Sequence, residues 1–462
     1  MDTIDAARTT GRLLDRRVVA WSLWDWGSAA FNAVITTFVF TRWITSTDFV
    51  DRDLVAEAEA GSATARTLVD AAVAEHSAWL GWGLTIAGIL IALLAPVTGS
   101  RSDDAGRRKL WLGIHTGVVV LVSAAMFLVV PEPDSLTRNL LLGITLLAVG
   151  NVFFELAMVN YNAMLSQIAR PANYGRVSGI GWGAGYIGGI VLLLILFVGF
   201  INPEVGWFGV TSADGLDIRV SVLLSAVWFA VFAVPVLLAV PEKPRSATHR
   251  RVGFVGAYAA VLRSVRDLWR HARHTLAFLV ASAIYRDGLA GVFTFGAVIA
   301  SGTFGFSAAD VVVFAIAANL VAGVSTIVGG YVDDRVGSKR IIVASLIGLV
   351  VSGVAVFALR DAGPTAFWVF GLALCLFVGP AQSASRSLLS RVAPVGREAE
   401  VFGLYATTGR AASFLAPLAF STFILVGGSQ AWGILGIVLV IGVGLALLLP
   451  VVVTKYPDRT DS

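Results

Sequence analysis

Twelve apolar runs, each long enough to cross a lipid bilayer, follow one another along the chain at about 18–46, 79–99, 109–131, 139–165, 176–201, 220–240, 275–300, 309–331, 341–359, 365–388, 401–426 and 432–454. A hydrocarbon core takes about 20 residues of helix. A backbone in lipid must also satisfy its own hydrogen bonds, so runs of this length are helices. The 462 residues are 57% apolar and 14% charged, with a mean hydropathy of +0.81, more apolar surface than a water-soluble fold can hide. The expectation is an all-α membrane protein. The first run is too long for a signal peptide, carries Asp25 and lacks a cleavage site, so it counts as a span.

The chain also repeats itself. Gly99, Asp103, Gly106, Arg107 and Arg108 lie between runs two and three, and Gly330, Asp334, Gly337, Lys339 and Arg340 lie between runs eight and nine, with glycines and acids offset by 231 residues, half the chain. A second echo pairs Leu165, Ser166, Ala169, Val177, Gly179 and Gly185 with Leu389, Ser390, Ala393, Val401, Gly403 and Gly409, each offset by 224. Twelve transmembrane helices in two pseudo-symmetric six-helix bundles result, and parallel repeats of this kind place a transporter's site at their interface near mid-membrane. In each motif copy the first glycine allows close helix contact, the acid accepts hydrogen bonds near a helix end, the second glycine permits a tight reversal and the cations hold the inner face. These ten residues read as a conformational latch.

Of the 34 Lys and Arg, 25 fall in the amino-terminal arm, the even-numbered loops and the tail, whereas Arg52, Arg66, Arg138, Arg219 and Arg360 alone lie in the opposite loops. Cytoplasmic loops collect cations, so both termini are expected in the cytoplasm of a cell (plasma) membrane protein. The net charge of +4 stems from this topology and does not argue for a nucleic-acid partner. Residues 241–274 carry Pro241, Pro244 and eight cations, and divide the chain into a first bundle (1–240), a linker and a second bundle (275–462). In the linker Phe254, Tyr258, Val261, Leu262, Val265, Leu268 and Trp269 recur at helical spacing with Arg263, Arg266, Arg270 and Arg273 on other faces, an amphipathic helix for the inner membrane surface. A regulatory or partner-binding helix is the other reading. The segment from Asp48 to Glu75 reads as an outer loop with a short helix.

Ionisable side chains at mid-bilayer cost several kcal/mol and are functional candidates by default. Asp25 lies in span one, Glu155 in span four, Arg286 and Asp287 in span seven and Arg386 in span ten, the first and fourth spans of each repeat. Residues three, four and seven apart share a helix face. That spacing extends the charges into stripes: Asp25, Ser28, Asn32 and Thr36; Asn151, Glu155, Tyr161 and Asn162; Tyr285, Asp287 and Thr294; Gln382, Ser385 and Arg386. The carboxylates are candidates for proton coupling or for a substrate cation. The Arg386 guanidinium suits a carboxylate or phosphate, or else an acid of the other half. Trp24 and Trp182 are candidates to face a solute, with packing the plainer role for most of the 13 tryptophans. The glycine-dense stretch 179–189 lies inside a span and reads as close helix packing, not a nucleotide loop. A single cysteine, Cys375, provides no disulfide framework or metal cluster, and no nucleophile–base pair stands out among the five histidines, so neither an enzyme nor a cofactor or metal is expected.

These residues resemble the major facilitator superfamily, whose Gly-x-x-x-Asp-x-x-Gly-Arg-Arg/Lys signature lies between spans two and three and, more weakly, eight and nine. Finer matches resemble its vacuolar amino-acid effluxer-like, autophagy-related branch. They are Asp25 to Phe31, similar to the family's Asp-Trp-Ala-Asn-Ser-Ala-Phe but without its asparagine; Tyr161 to Leu165; Gly175 to Gly179; Gly185 to Gly189; Tyr285 to Gly288; Gln382 to Ser387; and Phe402 to Tyr405. The resemblance implies a major facilitator fold and alternating-access export of amino acids or similar small solutes. No ATP motif is present, so a gradient, with H+ the simplest ion, would drive a secondary transporter expected to be monomeric. A lipid or lysolipid flippase of the same fold is the alternative, and a non-transporting membrane receptor another.

Overall fold

The computed structural model describes residues 15–105, 108–168, 174–240, 242, 254–392 and 398–452. The first crossing is built of α1 (Arg16–Ala29), a π-helical segment (Ala30–Phe38) and α2 (Phe40–Ile44). α3 (Arg52–Glu59) leads to α4 (Ala63–Ala105), α5 (Arg108–Ala125), α6 (Leu136–Ile168), α7 (Tyr174–Leu196) and α8 (Leu216–Ala239), crossings two to six. After α9 (Phe254–His271) come α10 (Arg273–Phe304), α11 (Ala308–Val336), α12 (Ser338–Ala358) and α13 (Pro364–Val392), crossings seven to ten. α14 (Glu398–Ala411) and α15 (Leu415–Gly427) share the eleventh, and α16 (Trp432–Leu448) is the twelfth. Among the described residues ten helices are long and apolar enough to cross a membrane. The first crossing is in pieces, and α16 has 17 residues.

Packing repeats with the sequence. In the first half α1 packs on α7 and α8, α6 on α4 and α5, and α5 on α8. In the second, α10 packs on α14, α15 and α16, α13 on α11 and α12, and α12 on α16. Counted by crossing, each contact of the first half returns six crossings later, the pseudo-twofold relation expected from the duplicated motifs. The motif copies do the same. The Lys109 amide at the start of α5 donates to Glu242, just past α8 (3.1 Å). The Lys339 ammonium at the start of α12 donates to the carbonyls of Leu449 and Val451, just past α16 (2.7 Å each), a cation on orphan carbonyls at a helix end. Between them Gly337 has φ +94°, a conformation that favours glycine. Gly330 lies within α11 and Arg340 in the first turn of α12, while Arg108 opens α5. Gly106 and Arg107 lie outside the described residues, as do the side chains of Asp103 and Asp334.

Helices approach to backbone contact where glycine removes the side chain, as small residues do in membrane interfaces. A Cβ at Gly444 of α16 would lie 2.7 Å from the Tyr285 nitrogen of α10, and one at Gly188 of α7 2.5 Å from the Trp26 carbonyl of α1.

Three local features depart from the sequence reading. The segment 48–75 is almost wholly helical rather than a loop: α4 begins at Ala63, 43 residues long, and α3 folds against it through Val50, Ala58, Ala65, Val69 and Val73. Alanine-rich sequence is a strong helix former, and this small apolar cluster gives the extension something to pack on. Span one contains a π segment, closed by a Val39 N–H to Val34 carbonyl bond of 2.8 Å. Span eleven breaks at residues 412–414. Within 241–274 a helix, α9, runs from Phe254 onward; residues 243–253 lie outside the described part.

Candidate functional site

The π segment turns span one on its own axis, because an extra residue per turn rotates the remainder of the helix. The expected stripe is therefore split. Asp25 is half-buried, Ser28 and Thr36 are buried and Asn32 is exposed. Asp25 faces α7, where Gly181 and Gly185 make room: its Oδ2 lies 3.2 Å from where a Cβ at position 181 would be. Ser28 spends its hydroxyl on the Asp25 carbonyl (3.0 Å).

Span four presents two faces. Tyr161 is buried, its ring sandwiched between Trp21 and Trp24 with centroids 4.4 and 4.3 Å away. The two indole N–H groups donate to the Tyr161 carbonyl and to Thr116, both at 3.1 Å. Trp24 is thus a packing residue, wholly buried. The Trp182 side chain lies outside the described residues. Asn151 donates to its own helix at Leu147 (3.1 Å), and Asn162 is exposed at the other end of the span.

Glu155 is the residue of this helix that reaches the other half. Its Oε2 lies 3.2 Å from Nε of Arg410 on α14, an ion pair that joins the two halves. Beside it, Gly409 leaves space for the Arg286 guanidinium, 2.9 Å from a would-be Cβ. That guanidinium covers the Tyr405 ring at 3.9 Å and donates to the Tyr405 carbonyl (3.2 Å). Such a cation–π contact is a way of holding an arginine in an apolar setting.

In the second half Tyr285 of α10 and Ser385 of α13 share a hydrogen bond of 2.6 Å, which brings the next residue of each helix, Arg286 and Arg386, to one level. Arg386 is exposed and Gln382 half-buried, with Tyr405, Arg286 and Tyr186 in the neighbourhood of the Arg386 guanidinium. Asp287 points elsewhere. It is buried, and its Oδ2 accepts the Ala416 amide (2.6 Å) at the first turn of α15. The carboxylate thereby caps the helix that restarts after the break in span eleven, compensating an orphan N–H and the positive end of a helix dipole.

Structure therefore brings together Glu155, Arg286 and Arg386 with two residues the sequence reading did not select, Arg410 and Tyr405. Arg410 carried a signal, a cation inside an apolar run. Its partner 255 positions away did not. No His/Cys/Asp/Glu group suited to a metal ion occurs among the described residues.

The two halves close on each other at the ends of α4, α10 and α15 farthest from α9. The Gln430 amide donates to Ser77 (2.6 Å) and Gly81 lets Pro417 and Ser421 approach, while farther along α4, toward α9, Gly88 lies against Phe414 and Ser413 at the break before α15. Next to them, Phe38 of span one meets Val292 and Phe293 at an apolar cavity of about 50 Å³ in the second half.

Comparison with known proteins supplies the family. Residues 15–458 match the family model described as vacuole effluxer Atg22 like. The chain is 24% identical over 431 residues to the uncharacterized MFS-type transporter YxiO of Bacillus subtilis, with 93% of each protein covered. It is 23% identical over 302 residues to autophagy-related protein 22 of Yarrowia lipolytica, a match spanning 59% of this chain and 50% of that protein. Among solved structures it is similar to the inward open conformation of the xylose transporter XylE from E. coli (TM-score 0.62, 12% identity, 96% of both chains). It is also similar to a bacterial homolog of the human lysosomal transporter Spinster in an inward-facing state (TM-score 0.61, 12% identity, 94% of this chain and 95% of that one). At these identities the structures show a shared fold.

Proposed function

Since the chain belongs to the Atg22-like vacuole effluxer family, a multi-pass membrane transporter of the major facilitator kind, we propose that it exports a small polar solute, amino acids foremost, in exchange for protons. The observation that carries this reading is the Glu155–Arg410 pair. It is an ionisable carboxylate and a guanidinium, one from each half, held in a membrane-embedded setting. Protonating Glu155 discharges the pair and frees the halves to move, which is the minimum a coupling device requires. Asp25, between α1 and α7, is a second group able to carry a proton, while Asp287 acts through the break in span eleven. Gln382, Tyr405, Arg286 and Arg386 line up as the solute-binding groups, with guanidinium the natural partner of a solute carboxylate. Asn32 and Asn162 are both exposed on crossings one and four and are further candidates to meet the solute.

Supporting an inward-facing arrangement, the contacts at Ser77 and Gly81 shut one end, while Tyr186, Asn162 and Arg386 are exposed. We read the shut end as the outer one, because the cation-rich loops collect on the opposite face. Residues 1–240 and 275–462 act in this reading as two rocking bundles in the cell membrane, with both termini in the cytoplasm and one chain sufficient for the cycle.

Purified protein in liposomes, given a panel of amino acids with and without a pH gradient, tests the reading. One proton exchanged per solute sets an accumulation ratio of about tenfold per pH unit. Absence of solute movement under every gradient contradicts the proposal. Movement of labelled lipid in the same vesicles would favour the flippase alternative instead.

A further inference from the structure

The helix between the two halves has a face that the transport cycle does not use. α9 turns Val261, Val265 and the fully buried Leu268 toward the protein, and its Tyr258 hydroxyl donates to the Leu93 carbonyl of α4 (2.7 Å). About a quarter-turn from that buried face, Leu262 and Trp269, seven residues apart and therefore on one line of the helix, are 66% and 61% exposed. Arg263, Arg266 and Arg270 stand exposed along the adjoining line. Arg273 continues it at the start of α10, its guanidinium over the Trp269 ring at 5.7 Å. The acid of this helix, Asp267, is turned the other way, paired with His271 at 3.0 Å.

Depth is fixed by the tyrosine. Leu93 lies inside the apolar run of α4, twelve residues before that helix ends at Ala105, roughly 18 Å along the axis at 1.5 Å per residue. The bond thus holds α9 against the part of α4 that lies toward the end of its apolar run. A leucine and a tryptophan in that position enter the acyl boundary. Guanidiniums beside them reach outward and meet phosphate with charge-assisted hydrogen bonds.

We propose that the Leu262–Trp269 face of α9, with Arg263, Arg266 and Arg270, is a docking surface for the headgroups of anionic phospholipids. Zwitterionic lipid offers the same hydrocarbon without the net charge, so the surface discriminates between them by electrostatics. Because α9 holds α4 and runs into α10, lipid charge bears on an element bonded to both halves.

The test uses the full chain carrying Cys375→Ser and Leu262→Cys, labelled at position 262 with an environment-sensitive fluorophore and reconstituted in phosphatidylcholine vesicles. Brominated phosphatidylglycerol and brominated phosphatidylcholine are then compared as quenchers at equal mole fraction. The surface predicts a relative binding constant favouring phosphatidylglycerol by roughly fivefold for each fully engaged cation. The preference falls as salt is raised and approaches unity in Arg263→Gln/Arg266→Gln/Arg270→Gln. The salt series needs no arginine substitution and decides the matter even if that triple variant does not fold. Equal or reversed quenching by the two lipids overturns the proposal. So does a label untouched by either and quenched by aqueous iodide, which would mean a water-facing helix awaiting a protein partner.

Discussion

Replacing Glu155 by Gln is expected to abolish pH-driven accumulation in liposomes, from about tenfold per pH unit to none, while downhill exchange of the same solute continues. The separation is 3.2 Å and the side chains are 36% and 18% exposed. Coulomb attraction at that distance is about 1 kcal/mol in bulk water and about 5 kcal/mol at an effective dielectric of 20, so a half-hydrated pair lies between. Desolvation opposes part of it, leaving about 1–3 kcal/mol as the worth of the pair. A shift of about 1.4 kcal/mol moves a two-state equilibrium tenfold, which suffices to link proton binding to a change of state. Gln mimics the protonated acid permanently, and with it the pH response goes. Arg410→Gln should have the same consequence, and the exchange Glu155→Arg with Arg410→Glu should recover part of it. A variant that unfolds loses exchange as well as accumulation, so the exchange assay separates lost coupling from lost structure. Full pH-driven accumulation by Glu155→Gln would remove the pair from the mechanism.

Gly88→Leu is expected to drive the two halves apart where α4 meets the break in span eleven. A Cβ at position 88 would lie 2.9 Å from the Phe414 Cα, the Phe414 nitrogen and the Ser413 carbonyl oxygen. All three are backbone atoms at the break between α14 and α15, so no side chain can swing aside. Forced overpacking costs about 1–3 kcal/mol, charged against the arrangement in which α4 and α15 touch and not against one in which they have parted. The population should move by roughly tenfold to a hundredfold toward the parted form. Spin labels on the outer ends of α4 and α15 would report a longer distance in the variant than in the parent. An unchanged distance distribution in a folded variant would mean that this contact is not a gate.

Much of the architecture was legible because membrane spans and duplication are local or periodic signals. Runs of apolar residues mark crossings one by one, and the spacing of Asp103 and Asp334 displays the repeat without any structure. What escaped was either conformational or long-range. The alanine-rich stretch before span two reads as a loop by polarity, yet α4 extends through it because α3 offers apolar side chains to pack on. An ideal helix places Asp25, Ser28, Asn32 and Thr36 on one face, and the π segment undoes that. Asp287 looked like a coupling acid because it is charged and within a span. Its amide partner arises only where span eleven breaks, which no hydropathy pattern marks. Tyr161 counted as a polar residue in a stripe, but between two indoles its ring is the part that matters. The Glu155–Arg410 pair joins residues 255 apart, a relation that exists only once two bundles face each other.

All of this depends on water reaching the middle of the membrane from one side at a time. Asn32→Cys in a Cys375→Ser background places a thiol at an exposed site deep in span one. A membrane-impermeant maleimide added to oriented vesicles reads its accessibility from each face. The account predicts labelling from the cytoplasmic face and protection from the outer face, with the order reversed when Gly88→Leu is added. A thiol that reacts from neither face, and only with a lipid-soluble reagent, would put Asn32 against acyl chains and contradict a hydrated hollow between the two halves.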